Sequence, residues 1–231
     1  MDIRCPYCGS GNAGAIHISE PEAASGDPGW LCGDCGKEFG KTPEFTFDGQ
    51  KKTVSDLTGF SFRIGGIWRG HKEIIIRRGE EGAALCVLFS RSPSDEGPYI
   101  RRFQDKEWDD LTKILFTDLF IHEWEQRYSS NIRDGTQWGL QLTFTGGLQY
   151  EIYGNNKYPP LWGSFKKEMD FYFSSAMIIK PDPADRQRYC GLFRDVYAVQ
   201  GWIDAHQDET ENAGAKDPGR KQQTGSAAPD E

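Results

Sequence analysis

The chain has 231 residues, with 27 Lys and Arg against 35 Asp and Glu, and a formal net charge of −8. No run of about 18 apolar residues occurs, so a membrane-spanning helix is excluded, and the acidic balance disfavours membrane surfaces and bulk nucleic acid as partners. With 37% hydrophobic and 13% aromatic residues, the chain can build a small module and one domain with a core. A cytoplasmic protein is expected.

Two Cys-x-x-Cys pairs near the N-terminus carry the strongest signal in the sequence. They are Cys5 with Cys8 and Cys32 with Cys35. Each pair places two sulfurs on one tight turn, and four thiolates at ~2.3 Å complete the tetrahedron of a structural zinc site. The main alternative is two disulfides in a secreted domain, which the lack of a signal peptide and of a dense cysteine framework disfavours. One Zn²⁺ is predicted.

This N-terminal part resembles the zinc-ribbon family over residues 1–41. The resemblance implies short hairpins that each carry one pair of cysteines. It implies no particular function, because zinc ribbons occur in transcription factors, ribosomal proteins, enzymes and adaptors. Residues 1–41 contain six acidic and three basic side chains, a net of −3, and this sign disfavours contact with a phosphate backbone.

After the ribbon, residues 42–58 mix turn residues with charges and are interpreted as a linker. Residues 59–206 are predicted to form an α+β domain with a mainly antiparallel sheet, two or three packed helices and a C-terminal helix. Residues 207–231 have almost nothing apolar to bury, and a disordered tail is predicted there.

Alternating patterns and turn signals place the elements of the α+β domain. The Gly146-Gly147 pair marks the clearest hairpin, and an irregularity is expected near Phe120 in the first helix. The predicted strands are 60–64, 73–78, 83–90, 99–103, 137–145 and 148–153, and the predicted helices are 106–128, 161–173 and 183–206.

Residues 60–173 contain a set of short motifs that is similar to a family of uncharacterised bacterial proteins common in Firmicutes. The motifs are SFRIGG, HKEIII, EWDDLTKIL, WEQRY, DGTQW and YGNNKYPP. The resemblance implies an α+β domain with a metal module added in front of it. The family has no assigned activity, so the resemblance implies no catalytic residue.

Two motifs look like reaction or cofactor sites but lack the required context. The G-x-G-x-x-G match at 9–14 follows a cysteine pair instead of a strand, so its glycines are interpreted as turn residues. His122 and Glu123 start a zinc-protease pattern, but Gln126 stands where the second histidine belongs. A surface or helix-end histidine is the simpler interpretation, and no catalytic or further cofactor-binding residue is predicted.

A mixture of aromatic and hydrogen-bonding residues around two loops is the best candidate for an interaction surface, since such residues are common at binding hot spots. The alternative interpretation places the tryptophans in the core and the other residues in turns. The candidate residues are Trp124, Tyr128, Arg133, Asp134, Trp138, Asn155, Tyr158, Pro159 and Trp162.

A second candidate surface is basic. It consists of Arg63, Arg69, Lys72, Arg77, Arg78, Arg101 and Arg102. Together these observations favour a zinc-binding adaptor that contacts a protein partner. The alternatives are a nucleic-acid-associated factor and an enzyme with an unrecognised site.

Overall fold

The computed structural model describes residues 3–16, 29–66, 70–89, 98–132, 134–196 and 199. Within these ranges the protein combines a large, mainly antiparallel sheet with three α-helices and a small N-terminal cysteine-containing sheet. The α+β class is therefore confirmed. Residues 207–231, predicted to be disordered, lie outside the described residues.

The N-terminal module comprises residues 3–16 and 29–41. Its three short strands, β1 (Ala13–Ala15), β2 (Trp30–Cys32) and β3 (Glu38–Phe39), form an antiparallel sheet with β2 in the centre. Cys32 ends β2 and Cys35 lies in the turn between β2 and β3, whereas the first pair precedes β1. Ala13 pairs with Cys32, so the sheet brings the two cysteine pairs to the same end of the module.

The segment interpreted as a linker contains a β-hairpin of β4 (Glu44–Phe47) and β5 (Gln50–Thr53). Asp48 and Gly49 both have positive φ angles, 43° and 84°, as a type I′ hairpin turn requires. Phe45 is buried and its ring lies 4.8 Å from that of Phe144. The hairpin thus adds an aromatic side chain to the main core, which a solvent-exposed connection would not do.

The main sheet has seven strands in the order β10-β12-β11-β6-β7-β8-β9. All neighbours are antiparallel except β10 and β12. Gly146 and Gly147 have positive φ angles of 84° and 75° and form the turn between β11 and β12. The strands are β6 (Leu57–Gly66), β7 (Gly70–Gly79), β8 (Gly82–Phe89), β9 (Tyr99–Phe103), β10 (Arg127–Ser129), β11 (Gln137–Phe144) and β12 (Gln149–Asn155).

Helices cover both faces of this sheet. Helices α1 (Asp105–Lys113) and α2 (Trp162–Ile178) bury their apolar residues in the same core cluster as the inward residues of β6, β7, β8 and β11. Helix α3 (Pro183–Tyr189) and a 3₁₀ turn (Cys190–Phe193) pack on the opposite face, against β7, β8 and β9. Both faces of β7 and β8 are therefore covered, and consecutive residues such as Ile74, Ile75 and Ile76 are all buried.

The predicted helix 106–128 is wrong in its second half. Helix α1 ends at Lys113 and continues as a π turn (Ile114–Asp118), and Phe120 then adopts a left-handed backbone with φ of 50°. A 3₁₀ turn (Ile121–Glu123) and strand β10 follow. After the break, Phe120 packs against the N-terminal module while Ile121 enters the main core. The irregularity expected near Phe120 is therefore confirmed.

The other two helices also differ in length from the sequence-based expectation. Helix α2 extends to Ile178, five residues beyond the predicted end at 173. Helix α3 ends at Tyr189 instead of near 206, and most of the residues after 196 lie outside the described residues.

Candidate metal centre

The four cysteines of the two Cys-x-x-Cys pairs meet at one point of the N-terminal module. All four Sγ atoms lie within 4.8 Å of one another. Between the pairs, Cys5 Sγ lies 3.6 Å from Cys35 Sγ, and Cys8 Sγ lies 3.6 Å from Cys32 Sγ. Four thiolates around one zinc ion at ~2.3 Å would be about 3.8 Å apart. The sulfur positions therefore fit a tetrahedral metal ion.

The two cysteine turns have the same backbone structure. The amide of Gly9 donates to the carbonyl of Cys5 at 2.8 Å, and the amide of Gly36 donates to the carbonyl of Cys32 at 2.9 Å. Both glycines have positive φ angles, 78° and 69°, which closes each turn without a Cβ penalty. The amide of each first cysteine also donates to the carbonyl five residues later, at 2.9 and 3.0 Å. The site is thus made of two equivalent halves.

Backbone amides also point at the sulfurs. Hydrogen bonds from the amides of Cys35 and Asp34 lower the pKa of the Cys32 thiol to about 7. Burial raises the pKa of the Cys5 thiol to about 12, although the amides of Tyr7 and Cys8 act in the opposite direction. Amide donors stabilise thiolates, while crowded sulfurs cannot all ionise without a cation. This donor set suits a divalent, thiolate-binding metal.

Asp34 joins the two halves of the site independently of any metal. Its carboxylate accepts hydrogen bonds from Ser10 Oγ at 2.5 Å and from Asn12 Nδ2 at 2.7 Å. Ser10 Oγ in turn accepts from the amide of Asn12 at 2.9 Å. These bonds lower the pKa of Asp34, so the carboxylate that holds the two loops together is ionised near neutral pH.

The ligand atoms leave little room for catalysis. Cys5 and Cys32 are fully buried, whereas Cys8 and Cys35 are exposed. Four sulfur donors fill a tetrahedron, and a catalytic metal instead keeps one position for water or substrate. The arrangement can therefore hold a metal ion that stabilises the fold.

The N-terminal module packs against the segment where helix α1 breaks. The rings of Phe39 and Phe120 meet edge to face with centroids 5.2 Å apart, and both rings belong to the cluster that contains Cys5 and Cys32. The Tyr7 hydroxyl donates to Glu123 Oε2 at 2.5 Å. Burial raises the pKa of the Tyr7 hydroxyl, and the bond to the Glu123 carboxylate raises this pKa further. The ligand-bearing loops and the α+β domain thus share an apolar contact and a polar one.

His122 takes part in the same contact from the single 3₁₀ turn Ile121–Glu123, and its side chain is mostly buried. Its side chain is 8% exposed, and Nε2 lies 3.2 Å from the carbonyl oxygen of Lys41. Nδ1 is buried without a hydrogen-bond partner. Burial lowers the pKa of His122 although the neighbouring Glu123 favours the charged form, so the imidazole is neutral near pH 7. The interpretation of His122 as a surface residue is therefore corrected.

The candidate interaction surface divides into core and surface residues. Trp124, Tyr128 and Trp138 are 3–6% exposed, and they pack in the main core instead of facing solvent. Pro159 is also buried. Asp134 and Tyr158 are exposed, Asn155 and Trp162 are half-buried, and Arg133 lies outside the described residues.

The accessible aromatic residues are supported by the buried ones. The Tyr158 ring stacks on Trp162 at 4.9 Å and 29°, and Trp162 lies 4.6 Å from Trp138. Trp138 Nε1 donates to the carbonyl of Lys157 at 3.0 Å, which ties the loop to the core. Trp138 also fills the space beside Gly154, where a Cβ atom would lie 2.3 Å from the indole. Tyr158 is therefore held on a rigid aromatic base.

The loop around Tyr158 is fixed by two asparagines. Asn156 has a left-handed backbone with φ of 51°, and its Oδ1 accepts from the amide of Thr136 at 2.8 Å. Asn155 Nδ2 donates to the carbonyl of Ile132 at 3.3 Å. On its other side the loop lies against the N-terminal module, where a Cβ atom on Gly9 would be 3.6 Å from Cβ of Pro160. The loop and the first cysteine turn thus form one continuous surface.

The basic candidate surface is largely neutralised by ion pairs. Arg69 lies outside the described residues, and Arg77 and Arg78 lie on opposite faces of β7. Four of the side chains form salt bridges, which reduces their availability for phosphates. The pairs are Lys72 with Asp170, Arg77 with Asp195, Arg78 with Asp105 and Arg101 with Glu107.

The contact between module and domain was not foreseen from the sequence. Tyr7 and Glu123 are separated by 116 positions, and neither has an unusual local pattern. The tyrosine inside the first Cys-x-x-Cys pair is the one local hint, since an aromatic residue there must find an apolar surface.

Comparison of the chain with protein-family models, with curated proteins and with solved structures finds no match. The family resemblance of residues 60–173 therefore remains a prediction. Among the residues that the structure describes, no helix is both long enough and apolar enough to cross a membrane.

Proposed function

We propose that the protein binds one structural Zn²⁺ through Cys5, Cys8, Cys32 and Cys35, in a zinc-ribbon-like module. The observation that carries this proposal is the cluster of four sulfurs with tetrahedral spacing on two matching turns. Zinc is favoured over redox-active metals because four thiolates in a tetrahedral, closed arrangement are its usual structural ligands.

The zinc ion would supply the folding free energy that the small module lacks. Its three strands have two or three residues each, too few to be stable alone. Metal binding couples to folding in such modules. With the metal bound, the module presents Tyr7 and Phe39 to the α+β domain and covers Phe120.

The function of the whole protein is proposed to be that of an adaptor that binds a protein partner. Support comes from the surface where the loop of Tyr158 meets the turn of Cys8 and Gly9. A rigid, exposed aromatic ring is a common component of interaction hot spots. A cytoplasmic location, predicted from the sequence, is part of this proposal.

Replacing one ligand tests the metal site. Cys32→Ser should lose zinc and the folded N-terminal module, while the α+β domain keeps its cooperative unfolding. Cys190→Ser is the matched control, because Cys190 lies in the second core cluster, away from the four ligands. Zinc content that is unchanged in Cys32→Ser would reject the proposed site.

The adaptor proposal is tested by an affinity capture from the native host with the wild-type chain and two tyrosine variants. Tyr158→Ala should lose a stoichiometric protein partner, with a hot-spot loss of about 2 kcal/mol. Tyr153→Ala is the matched control, because Tyr153 is also exposed (42%) but lies on strand β12. If all three chains capture the partner equally, Tyr158 does not contribute to the interaction surface.

A further inference from the structure

Helix α2 is apolar on two opposite sides of its C-terminal half. Its inner side is buried against the sheet with exposures of 0–4%. Its outer side, by contrast, exposes several large apolar side chains. The inner residues are Phe165, Met169, Tyr172 and Phe173. Phe171 (60% exposed) and Ile178 (82%) lie on the opposite side, Met177 (69%) lies on a flank, and Ile179 (58%) follows the helix as its C-cap.

A helix that is apolar all round is expected to be buried on all sides. The first turns of α2 obey the usual rule, since their outer positions are Gly163, Ser164 and Lys167. The apolar outer surface is thus confined to residues 171–179, which we name the α2 patch. Chance exposure of single apolar residues is normal, but a contiguous group is typical of an interaction surface.

The size of the α2 patch can be compared with the needs of a stable dimer. If fully exposed side chains of this size present roughly 150–200 Å² each, the observed exposures leave about 400–500 Å² of apolar surface. A standard interface buries about 800 Å² per partner. The four side chains therefore supply about half of the required area, and a stable dimer would also have to bury less apolar surface beside the patch.

The order of residues in the patch is symmetric. Phe171, Ser174, Ser175 and Ile178 occupy positions i, i+3, i+4 and i+7, so they lie within one 100° arc of the helix. In an antiparallel pair of such helices related by a two-fold axis between residues 174 and 175, each Phe171 would meet Ile178 of the other copy. The small serines would lie at the crossing point, where the two backbones approach most closely.

The serine side chains do not oppose this packing. Ser175 Oγ already donates to the carbonyl of Phe171 at 2.8 Å, so its hydroxyl needs no water when covered. Two-fold dimers require a patch that is complementary to itself. The order of a large, two small and a large side chain, from Phe171 to Ile178, meets this requirement. A different protein could bind the patch without such symmetry.

We propose that the α2 patch is a homodimer interface, in which the α2 helices of two copies of this chain cross in antiparallel orientation at Ser174 and Ser175. This interface is separate from the metal centre and from the loop of Tyr158. It assigns an occupant, a second copy of the chain, to an apolar surface that the described residues leave open.

Sedimentation analysis of the full-length protein over a wide concentration range tests the proposal. The wild-type chain should form a dimer, and Phe171→Lys or Ile178→Glu should each weaken it at least ~10-fold, because each variant places an unpaired charge in an apolar contact. Ile132→Glu is the matched control, since Ile132 is 56% exposed outside the patch, and its dimer should be unchanged.

A mixing experiment with the two folded variants tests the antiparallel geometry directly. When the Phe171→Lys and Ile178→Glu chains are mixed, the antiparallel pairing places the new ammonium beside the new carboxylate, and the remaining Phe171 meets the remaining Ile178. A heterodimer should therefore form where neither variant dimerises alone. A wild-type chain that stays monomeric, or a dimer insensitive to both changes, would overturn the proposal.

Discussion

The hydrogen bond between Tyr7 and Glu123 allows a quantitative test of how the N-terminal module is held to the α+β domain. Tyr7→Phe removes the hydroxyl that donates to Glu123 Oε2 at 2.5 Å and leaves a carboxylate whose side chain is 19% exposed without that donor. Hydrogen bonds to charged groups contribute about 1.5–3 kcal/mol. Because the carboxylate keeps some contact with water, the lower end, about 1.5 kcal/mol, is expected.

This loss should appear as weaker metal retention. If docking and metal binding stabilise the same folded module, a loss of about 1.5 kcal/mol corresponds to roughly tenfold weaker zinc binding. Competition with a chromophoric chelator at fixed pH measures the change. Tyr158→Phe serves as the control, since it removes a tyrosine hydroxyl away from the contact with Glu123.

A double-mutant cycle with Glu123→Gln separates the pair from its surroundings. The double variant should lose less than the two single changes add up to, because both remove the same bond. If Tyr7→Phe holds zinc as tightly as the wild-type chain, and the two changes are additive, the module is not held to the domain by this bond.

Three further predictions concern neighbouring parts of the structure. Trp138→Ala should cost about 3–5 kcal/mol in urea unfolding, because it empties a core site, and a loss below 1 kcal/mol would contradict its burial. Gly40→Ala should cost about 1–2 kcal/mol, because its φ is 81° and a Cβ would lie 2.7 Å from Trp30; unchanged thermal unfolding would argue against this packing. Because burial lowers the pKa of His122 below its usual 6.5, the unfolded chain binds more protons below that pH and stability falls on acidification. His122→Asn should reduce this loss as the pH falls below about 6.5, and an equal loss of stability in both chains would refute the prediction.

Features with a local sequence signal could be predicted. The cysteine pairs define their own turns, and the alternation of Trp138, Leu140, Leu142 and Phe144 reports a strand with one buried face, as the structure shows. The Gly146-Gly147 turn needs two positive φ angles, which glycine adopts without strain. In each case the residues that decide the structure are close together in the chain.

Features that depend on distant contacts could not be predicted. The helical pattern continues past Lys113 and indicates no more than an irregularity near Phe120. The end of the helix and the contact of Phe120 with Phe39, 81 positions earlier, are not visible in the local pattern. The aromatic residues of the candidate surface illustrate a second limit. The alternation of β11 predicts that Trp138 is buried, but Tyr158 lies in a loop without such a pattern. Only the packing of the loop shows that Tyr158 is exposed and that its ring stacks on Trp162.

The most direct test of the central claim is the metal content of the full-length protein, measured by elemental analysis together with the native mass. We expect one zinc ion per chain. We also expect a thiol reagent to modify Cys8 and Cys35, the two exposed ligands, much more slowly before a chelator is added than after. A folded, freshly reduced protein that contains no zinc, with both thiols reacting at the same rate with or without chelator, would contradict the account.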